Sequence, residues 1–412
     1  MRITVTNTAL LNTGDAAIML GTEAILRRAF GAGVEIALRD QQAEQAGARY
    51  PEYPSGPLFH TQVRQWVGNG FTKFGLLLLL CAALAWRTPL RPLGLAVLPQ
   101  SLRASLRDFA KSDLIVSAGG TYLVPHYRLG PKLLELLVAR LAGRPYVLFT
   151  QSLGPFTKRQ RLLGWLLRGA ALILVRDRPS AEALGAIGVA ESRIHRCADA
   201  AFALPRDGKP AKQPENLPRV GISVRDWPHF EAGGGAAMQR YLDAMAHLTA
   251  HLVERHGARI TFVSTCQGAA DYWTDDSHTA GQVTARLPEA LRTQVSIDGE
   301  ARRPLELLSL LGGYDLYVST RMHGAILALQ AQVPVIAVSY EFKTVELFTE
   351  MKLEDYLEDI ESVSGEALRN ASDRILADPE PRRRYIAGEV ATLRASAFTA
   401  APRLRQALET AA

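Results

Sequence analysis

The sequence predicts an α/β protein made of two Rossmann-like domains facing a cleft, each a parallel sheet with crossover helices. Three observations carry that expectation. Short apolar runs alternate with helix-length stretches along the 412 residues, the pattern that βαβ units leave in a chain. The alternation breaks once, from Leu204 to Pro218, where prolines recur and no periodic apolar face does. It restarts at Val220, and two halves of about 200 residues each suit two domains. The expected organisation is a first domain over 1–204 with an apolar insertion at 59–107, a linker over 205–218, a second domain over 219–375, and a helical tail over 376–412.

Taken in order, Ile3–Val5 reads as a strand, since no charged segment precedes a long apolar run as a signal peptide would require. It leads into Asn12-Thr13-Gly14-Asp15 and a helix over Ala16–Ala29. Leu114–Ser117 is a strand ending at Gly119-Gly120, Tyr146–Phe149 one ending at Gln151–Pro155, and Leu172–Val175 one ending at Arg176-Asp177 before a helix over Ser180–Ile187. In the second half, Val220–Val224, Arg259–Val263, Leu316–Ser319 and Pro334–Val338 read as strands, the second followed by the loop Ser264–Gly268. Tyr241–Arg255, Leu305–Leu311 and Gly324–Gln330 read as helices. Ligands of open α/β sheets bind beyond the carboxyl ends of the strands, so the chemistry is sought in these loops.

The 47 Lys and Arg exceed the 41 Asp and Glu, for a charge of +6, in a chain that is 48% apolar and 21% charged. That composition is globular. Cys81, Cys197 and Cys266 lie too far apart for a disulfide scaffold or a metal motif and fit a reducing compartment. The basicity comes without long like-charge blocks or alternating aromatics, which points away from nucleic acid and towards anionic small molecules or an anionic membrane surface. Phe74–Trp86 is apolar throughout, but its 13 residues fall short of the roughly 18 that cross a bilayer. It reads either as a buried or capping helix, or as a helix lying in the membrane interface with Trp66, Lys73, Trp86, Arg87 and Arg91 as anchors.

Three loops carry candidate chemistry. Ser319-Thr320-Arg321-Met322-His323-Gly324 joins a strand to a helix, so the unpaired amides of a helix start adjoin an arginine fork and an imidazole. A structural carboxylate for Arg321 and a capping role for His323 fit the same residues. Arg176-Asp177-Arg178-Pro179-Ser180 repeats the arrangement, with Asp177 or Ser180 as a cap and a surface ion pair as the plain alternative. Asp15 in Asn12–Asp15 suits a general base, a sugar-hydroxyl acceptor or a helix cap. Neither a GxGxxG nor a GxxxxGK[ST] is present, so dinucleotide and P-loop chemistry lose support.

The ordered set Asn12–Ile18, Ser117–Gly120, Gln151–Pro155, Arg176–Ser180, Asp199, Ser319–Gly324 and Ser339-Tyr340-Glu341-Phe342-Lys343 resembles the polysaccharide pyruvyl transferase family over most of the chain. The resemblance implies a fold like that of two-domain GT-B glycosyltransferases. It implies transfer of the enolpyruvyl carbons of phosphoenolpyruvate to two sugar hydroxyls, giving a pyruvate ketal and phosphate, with no further cofactor or metal. It makes the first domain the acceptor side and the second the donor side, places Arg321, His323 and the Met322 backbone at the phosphoenolpyruvate site, and makes Arg176 the arginine reaching it from the first domain. The substrate-binding set is then Arg176, Arg321, Met322, Gly324, Lys343, Asn12, Gly119 and Gly120, with His323 as general acid and Asp15 as base. Residues 59–107 match nothing in the family pattern. The expected partners are phosphoenolpyruvate and a sugar or lipid-linked acceptor, in the cytoplasm or at the inner face of its membrane, with membrane contact through 74–86. A GT-B glycosyltransferase using a nucleotide sugar and a non-catalytic sugar- or anion-binding protein are the competing readings.

Overall fold

The computed structural model describes residues 1–125, 129–157, 160–205, 217–230, 233–266 and 275–411. The chain divides into two compact units, one of residues 1–10, 18–204 and 393–412, the other of residues 11–17 and 205–392. Most of the expected linker, residues 206–216, and Gln267 and Gly268 of the loop after the second unit's second strand lie outside the described residues.

The first unit is built on β1 (Arg2–Thr8), β2 (Glu35–Asp40), β3 (Ser55–Pro57), β4 (Leu114–Ser117), β5 (Gly120–Leu123), β6 (Tyr146–Leu153), β7 (Leu172–Val175) and β8 (Ile194–Arg196). Their order is β3-β2-β1-β4-β6-β7-β8, with β5 added against β6, and every pairing is parallel. The second unit carries β9 (Arg219–Ser223), β10 (Arg259–Val263), β11 (Val295–Asp298), β12 (Leu316–Ser319), β13 (Val335–Ser339) and β14 (Leu357–Asp359). Their order is β11-β10-β9-β12-β13-β14, again all parallel. Each sheet starts in the middle, grows one way, then returns and grows the other. The chain therefore leaves a crevice between its first and fourth strands, where helices depart to opposite faces. The α/β class and the parallel sheets are those the sequence predicts.

Elements differ from expectation where composition hides them. β6 runs on to Leu153, because Gln151 still pairs with Val175 and Gly120. The Gly119-Gly120 turn opens β5, and the positive φ of 139° at Gly120 is a conformation that glycine tolerates. The helix expected from Tyr241 starts at Gly234, with Gly233 as its N-cap in the left-handed conformation.

The expected tail is shared between the units. Pro379–Phe398 is one helix, and residues up to 392 belong to the second unit. There Arg383 donates to the carbonyls of Gln332 and Tyr314, and the Tyr385 hydroxyl to that of Met351. From Leu393 onward the chain belongs to the first unit, where Ala397, Ala400, Ala401 and Leu404 are buried. Arg405 donates to the carbonyls of Arg28 and Ala29 in that unit.

In the second unit, the long helix Gly234–His256 is held to the helix Gly365–Ala377 by one carboxylate. Asp373 Oδ1 accepts from His251 Nε2 at 2.7 Å and from His256 Nε2 at 2.6 Å. Burial works against the Asp373 charge, but the two imidazoles outweigh it, and its pKa lies below the usual carboxylate value. A depressed carboxylate pKa means that the unfolded chain binds more protons in the acid range. The contribution is whole above the unfolded pKa and is lost as pH falls through the folded one. The stability gap between wild type and Asp373→Asn is expected to be widest near neutrality and to close below about pH 4, as followed by thermal unfolding at stepped pH. A gap that does not change with pH would leave the clamp without an electrostatic role.

Candidate active site

The crevice of the second sheet lies between β9 and β12. The two strands end side by side, with Thr320 N donating to Ser223 O at 3.1 Å and the hydroxyls of Ser223 and Ser319 3.1 Å apart. Each strand hands on to an arginine. Arg225 follows β9 and Arg321 follows β12. Tyr241 ties the two loops, its hydroxyl receiving Arg225 N at 3.4 Å and lying 2.8 Å from Thr320 Oγ1.

Arg321 is the N-cap residue of the helix Met322–Gln330 and offers no side-chain cap. The amides of Met322, His323 and Gly324 therefore open the first turn without helical acceptors and with the positive end of the helix dipole. Close packing fixes this turn. A methyl on Gly324 would lie 3.0 Å from Ser319 Oγ and 3.3 Å from the Tyr317 hydroxyl. His323 is half-buried, and Gly14 packs against it, since a Cβ there would stand 2.7 Å from His323 Cβ and 2.8 Å from Nδ1. Thr13 Oγ1 donates to Arg302 O at 3.0 Å, which holds the Asn12–Asp15 turn to the second unit. Asn12 Oδ1 accepts from Gly14 N at 2.9 Å and from Asp15 N at 3.4 Å, so Asn12 serves as a helix cap. Asp15 is half-buried in the first turn of the helix Thr13–Phe30.

The guanidinium of Arg321 lies on Asp276 Oδ1, reached by Nη2 and, at 3.2 Å, by Nε. The other oxygen of Asp276 takes Thr265 N at 3.2 Å, Thr265 Oγ1 at 3.3 Å and Cys266 N at 3.1 Å. Burial disfavours the Arg321 charge, but Asp276 leads the groups that overcome this and raise the pKa above the ordinary arginine value. The structural carboxylate left open by the sequence is therefore present, 45 positions upstream. Arg321→Ala would leave Asp276, 1% exposed, without its counter-charge. We expect a loss of about 3–5 kcal/mol in denaturant unfolding, the scale for breaking a buried pair from one side. An unchanged midpoint would show that the backbone donors alone satisfy Asp276.

Arg225 was not singled out by the sequence, and its situation differs. It is buried, its Nε donates to Asp226 O at 3.3 Å, and among the described residues no carboxylate pairs with it. Its guanidinium stacks 4.1 Å from the Tyr340 ring centre and 4.9 Å from that of Trp227. Trp227 and Tyr340 are themselves in contact, 4.5 Å between centroids. Lys343, in the first turn of the helix Phe342–Glu350, sits 2.5 Å from Glu341 and 5.6 Å from the Tyr340 ring. Tyr340 reports the field of this group. Burial would raise its phenol, but Lys343, Arg225 and Arg321 together pull it below the ordinary tyrosine value. The ends of β9, β12 and β13 thus gather three cations and two carboxylates, Asp276 on Arg321 and Glu341 on Lys343, which leaves one net positive charge at Arg225 for a small compact anion.

The remaining expected residues lie in the first unit. Arg176 is buried at the end of β7 and is engaged at all three nitrogens, by Asp199 at Nη1, Thr121 Oγ1 at Nη2 (2.6 Å) and Ser152 Oγ at Nε (2.8 Å). Asp177 caps the helix Arg178–Ala186 through Ser180 N at 2.8 Å and accepts from Ser152 at 2.6 Å. The motif thus locks β6, β7 and Asp199 together. Gly119 faces the other crevice, between β1 and β4, where a Cβ would stand 2.6 Å from Ile18 Cγ2 and from Thr150 Oγ1.

A model of the family described as polysaccharide pyruvyl transferase matches residues 12–341. The amylovoran biosynthesis protein AmsJ of Erwinia amylovora is 26% identical over 278 residues, an alignment covering 64% of this chain and 66%, just under two thirds, of that protein. Among solved structures, HepE of Anabaena in complex with UDP-glucose superposes with a TM-score of 0.57 at 14% identity, covering all of this chain and 98% of the other. A UDP-N-acetylglucosamine 2-epimerase from Listeria monocytogenes does so with a TM-score of 0.57 at 11% identity, covering 94% and 90%. At such identities these structures establish the fold alone, which is of GT-B type, each unit of this chain holding one parallel sheet.

Proposed function

The chain belongs to the polysaccharide pyruvyl transferase family, and from that membership we propose that it moves the enolpyruvyl carbons of phosphoenolpyruvate onto two hydroxyls of a sugar. The acceptor is a sugar of a cell-surface polysaccharide or of its lipid-linked precursor, met at the cytoplasmic face of the membrane. The observation that carries the reading is the cationic group around Tyr340. Phosphoenolpyruvate presents a carboxylate and a phosphate a few bonds apart, and Arg225, Arg321 and Lys343 with the first-turn amides after Arg321 offer charge and donors on that scale.

In this reading His323 gives a proton to C3 of the donor, and positive character develops at C2. One sugar hydroxyl bonds to C2, and the C2–O bond to phosphate breaks, the electron pair leaving with the phosphate. The second hydroxyl closes the ketal. Of the two hydroxyl protons, one replaces that lost by His323 and the other leaves with the phosphate by way of Asp15. The cations stabilise the departing dianion, and correctly placed charge of this kind is commonly the largest catalytic contribution.

The test avoids the unidentified acceptor. Thermal unfolding is recorded with phosphoenolpyruvate, with inorganic phosphate and with UDP- and GDP-sugars. A ligand at about 100 times its Kd adds about 2.7 kcal/mol of stability. Stabilisation by phosphoenolpyruvate supports the proposal. Stabilisation by a nucleotide sugar alone would transfer the chain to a glycosyltransferase reading.

A further inference from the structure

The insertion expected at residues 59–107 folds as four short helices, Phe59–Val67, Thr72–Ala85, Arg91–Ala96 and Gln100–Ala110. Its root is anchored by Glu135, fully buried, which accepts from Phe59 N at 2.6 Å and Arg39 Nε at 2.9 Å. The helix Thr72–Ala85 turns small residues inward. Gly75, Leu79, Ala82 and Ala83 are buried, and a Cβ on Gly75 would reach 2.7 Å from Val63 Cγ1. The helix Arg91–Ala96 closes on it through Gly94, which lies against Ala85 and Ala82.

That packing buries Leu79 and sets Leu76, Leu78 and Leu80 against the core, and leaves other large apolar side chains outside. Phe74, Leu77, Cys81 and Leu84, spaced 3, 4 and 3 residues apart, form one stripe along the helix, and Phe74, Leu77 and Leu84 are 57–59% exposed. Leu90, Leu93 and Val97, on the neighbouring helix and its flanks, are exposed as well, and Phe71, just before the helix Thr72–Ala85, is 70% exposed. These seven hydrophobics are half of the fourteen large ones found exposed among the described residues, a concentration that marks an interaction surface. From Tyr53 to Arg107 the chain has six cations and no Asp or Glu. Lys73, Arg87 and Arg91, in and just after the helix Thr72–Ala85, are exposed, Arg87 lying along Gly143 and Arg91 stacking 3.9 Å from the Trp86 ring centre.

We infer that this apolar stripe, together with Lys73, Arg87 and Arg91, docks the protein on an anionic lipid bilayer with the helix Thr72–Ala85 lying in the interface. The 14-residue helix is about 21 Å long, short of the roughly 30 Å hydrocarbon core. No helix among the described residues is long and apolar enough to cross a membrane. A second copy of the chain is a poor occupant, because a two-fold contact would set a patch holding cations and no acids against itself. A bilayer with anionic headgroups matches both the apolar face and the cations.

Vesicle flotation with the full chain tests this without any substrate, so its outcome is independent of the transferase proposal. The wild type is expected to float with vesicles of phosphatidylcholine and phosphatidylglycerol and to bind pure phosphatidylcholine far less. Arg87→Gln with Arg91→Gln should weaken binding about 30-fold, at about fivefold for each cation. Leu77→Ser, Leu84→Ser and Leu93→Ser together should weaken it more than about 100-fold while leaving the unfolding midpoint in place, since these side chains are outside the core. A fluorophore on Cys81, the exposed one of the three cysteines, should shift to the blue on vesicles. Wild type that stays unbound with anionic vesicles, or a triple variant that floats as well as wild type, overturns the inference. So does a dimer in sedimentation velocity that the triple variant disperses, if no vesicle binding accompanies it.

Discussion

Replacing His323 with Gln is expected to lower phosphate release from phosphoenolpyruvate and acceptor by about 10²- to 10⁴-fold, the range for losing a positioned acid, with donor affinity changed by less than tenfold. In the proposed reading the anion is held by the arginines and the amides of the helix start, and the imidazole is needed only when C3 receives its proton. Its position is set from behind. Gly14 leaves room for the ring at a distance that no side chain tolerates, 2.7 Å from Cβ to Cβ. Gly14→Ala should therefore lower kcat by at least about tenfold, since misplacement of reacting groups by an ångström can cost about a hundredfold. KM for the donor should stay near its wild-type value. Steady-state kinetics on both variants decides the matter, and full turnover in His323→Gln means that the proton reaches C3 from another group.

Replacing Arg225 with Met should cost about 2–5 kcal/mol of phosphoenolpyruvate binding, as when one partner of a buried charge pair is removed. Its effect on folding should be far smaller than that of Arg321→Ala. Methionine keeps an apolar stem against Trp227 and Tyr340, and no carboxylate among the described residues loses a counter-charge. Calorimetric titration with the donor gives the first quantity and denaturant unfolding the second. A further readout needs no ligand. Arg225 is one of the cations pulling the Tyr340 phenol down, so its removal should raise the pKa of that phenol in a spectroscopic titration. Wild-type affinity in Arg225→Met would remove the arginine from the anion site. An unmoved phenol would remove it from the neighbourhood of Tyr340.

Sequence patterns expose what repeats locally and conceal what meets through space. The two sheets were legible because nearly every central strand, such as Leu114–Ser117 or Leu316–Ser319, is a short fully buried apolar run. The loop Ser319–Gly324 was legible because a strand, an arginine, a histidine and a helix start fall within six residues. Asp276 was not, since it lies 45 residues before its partner in a helix of its own. Arg225 carries no motif at all, and its only signal is a place just after a strand that starts a sheet. Arg176 could be noticed but not interpreted, because Asp199, Thr121 and Ser152 reach it from separate parts of the chain. The run Phe74–Trp86 is apolar on every side, so its periodicity cannot tell inside from outside. The close approach permitted by Gly75, Ala82 and Ala83 makes that choice.

The division of the carboxyl-terminal helices has a consequence for synthesis. The first unit begins with residue 1 and is completed by residues 393–412, whose Ala397, Ala400, Ala401 and Leu404 fill its surface. All of the second unit from residue 205 onward is translated in between. At about 5–20 residues per second, the segment from 205 to 392 takes roughly ten to forty seconds to appear. The amino-terminal unit therefore waits on the ribosome with an open apolar seat, while the later unit can reach its native state first. Ribosome stalling late in the message would leave the earlier half, rather than the later one, as the ward of chaperones.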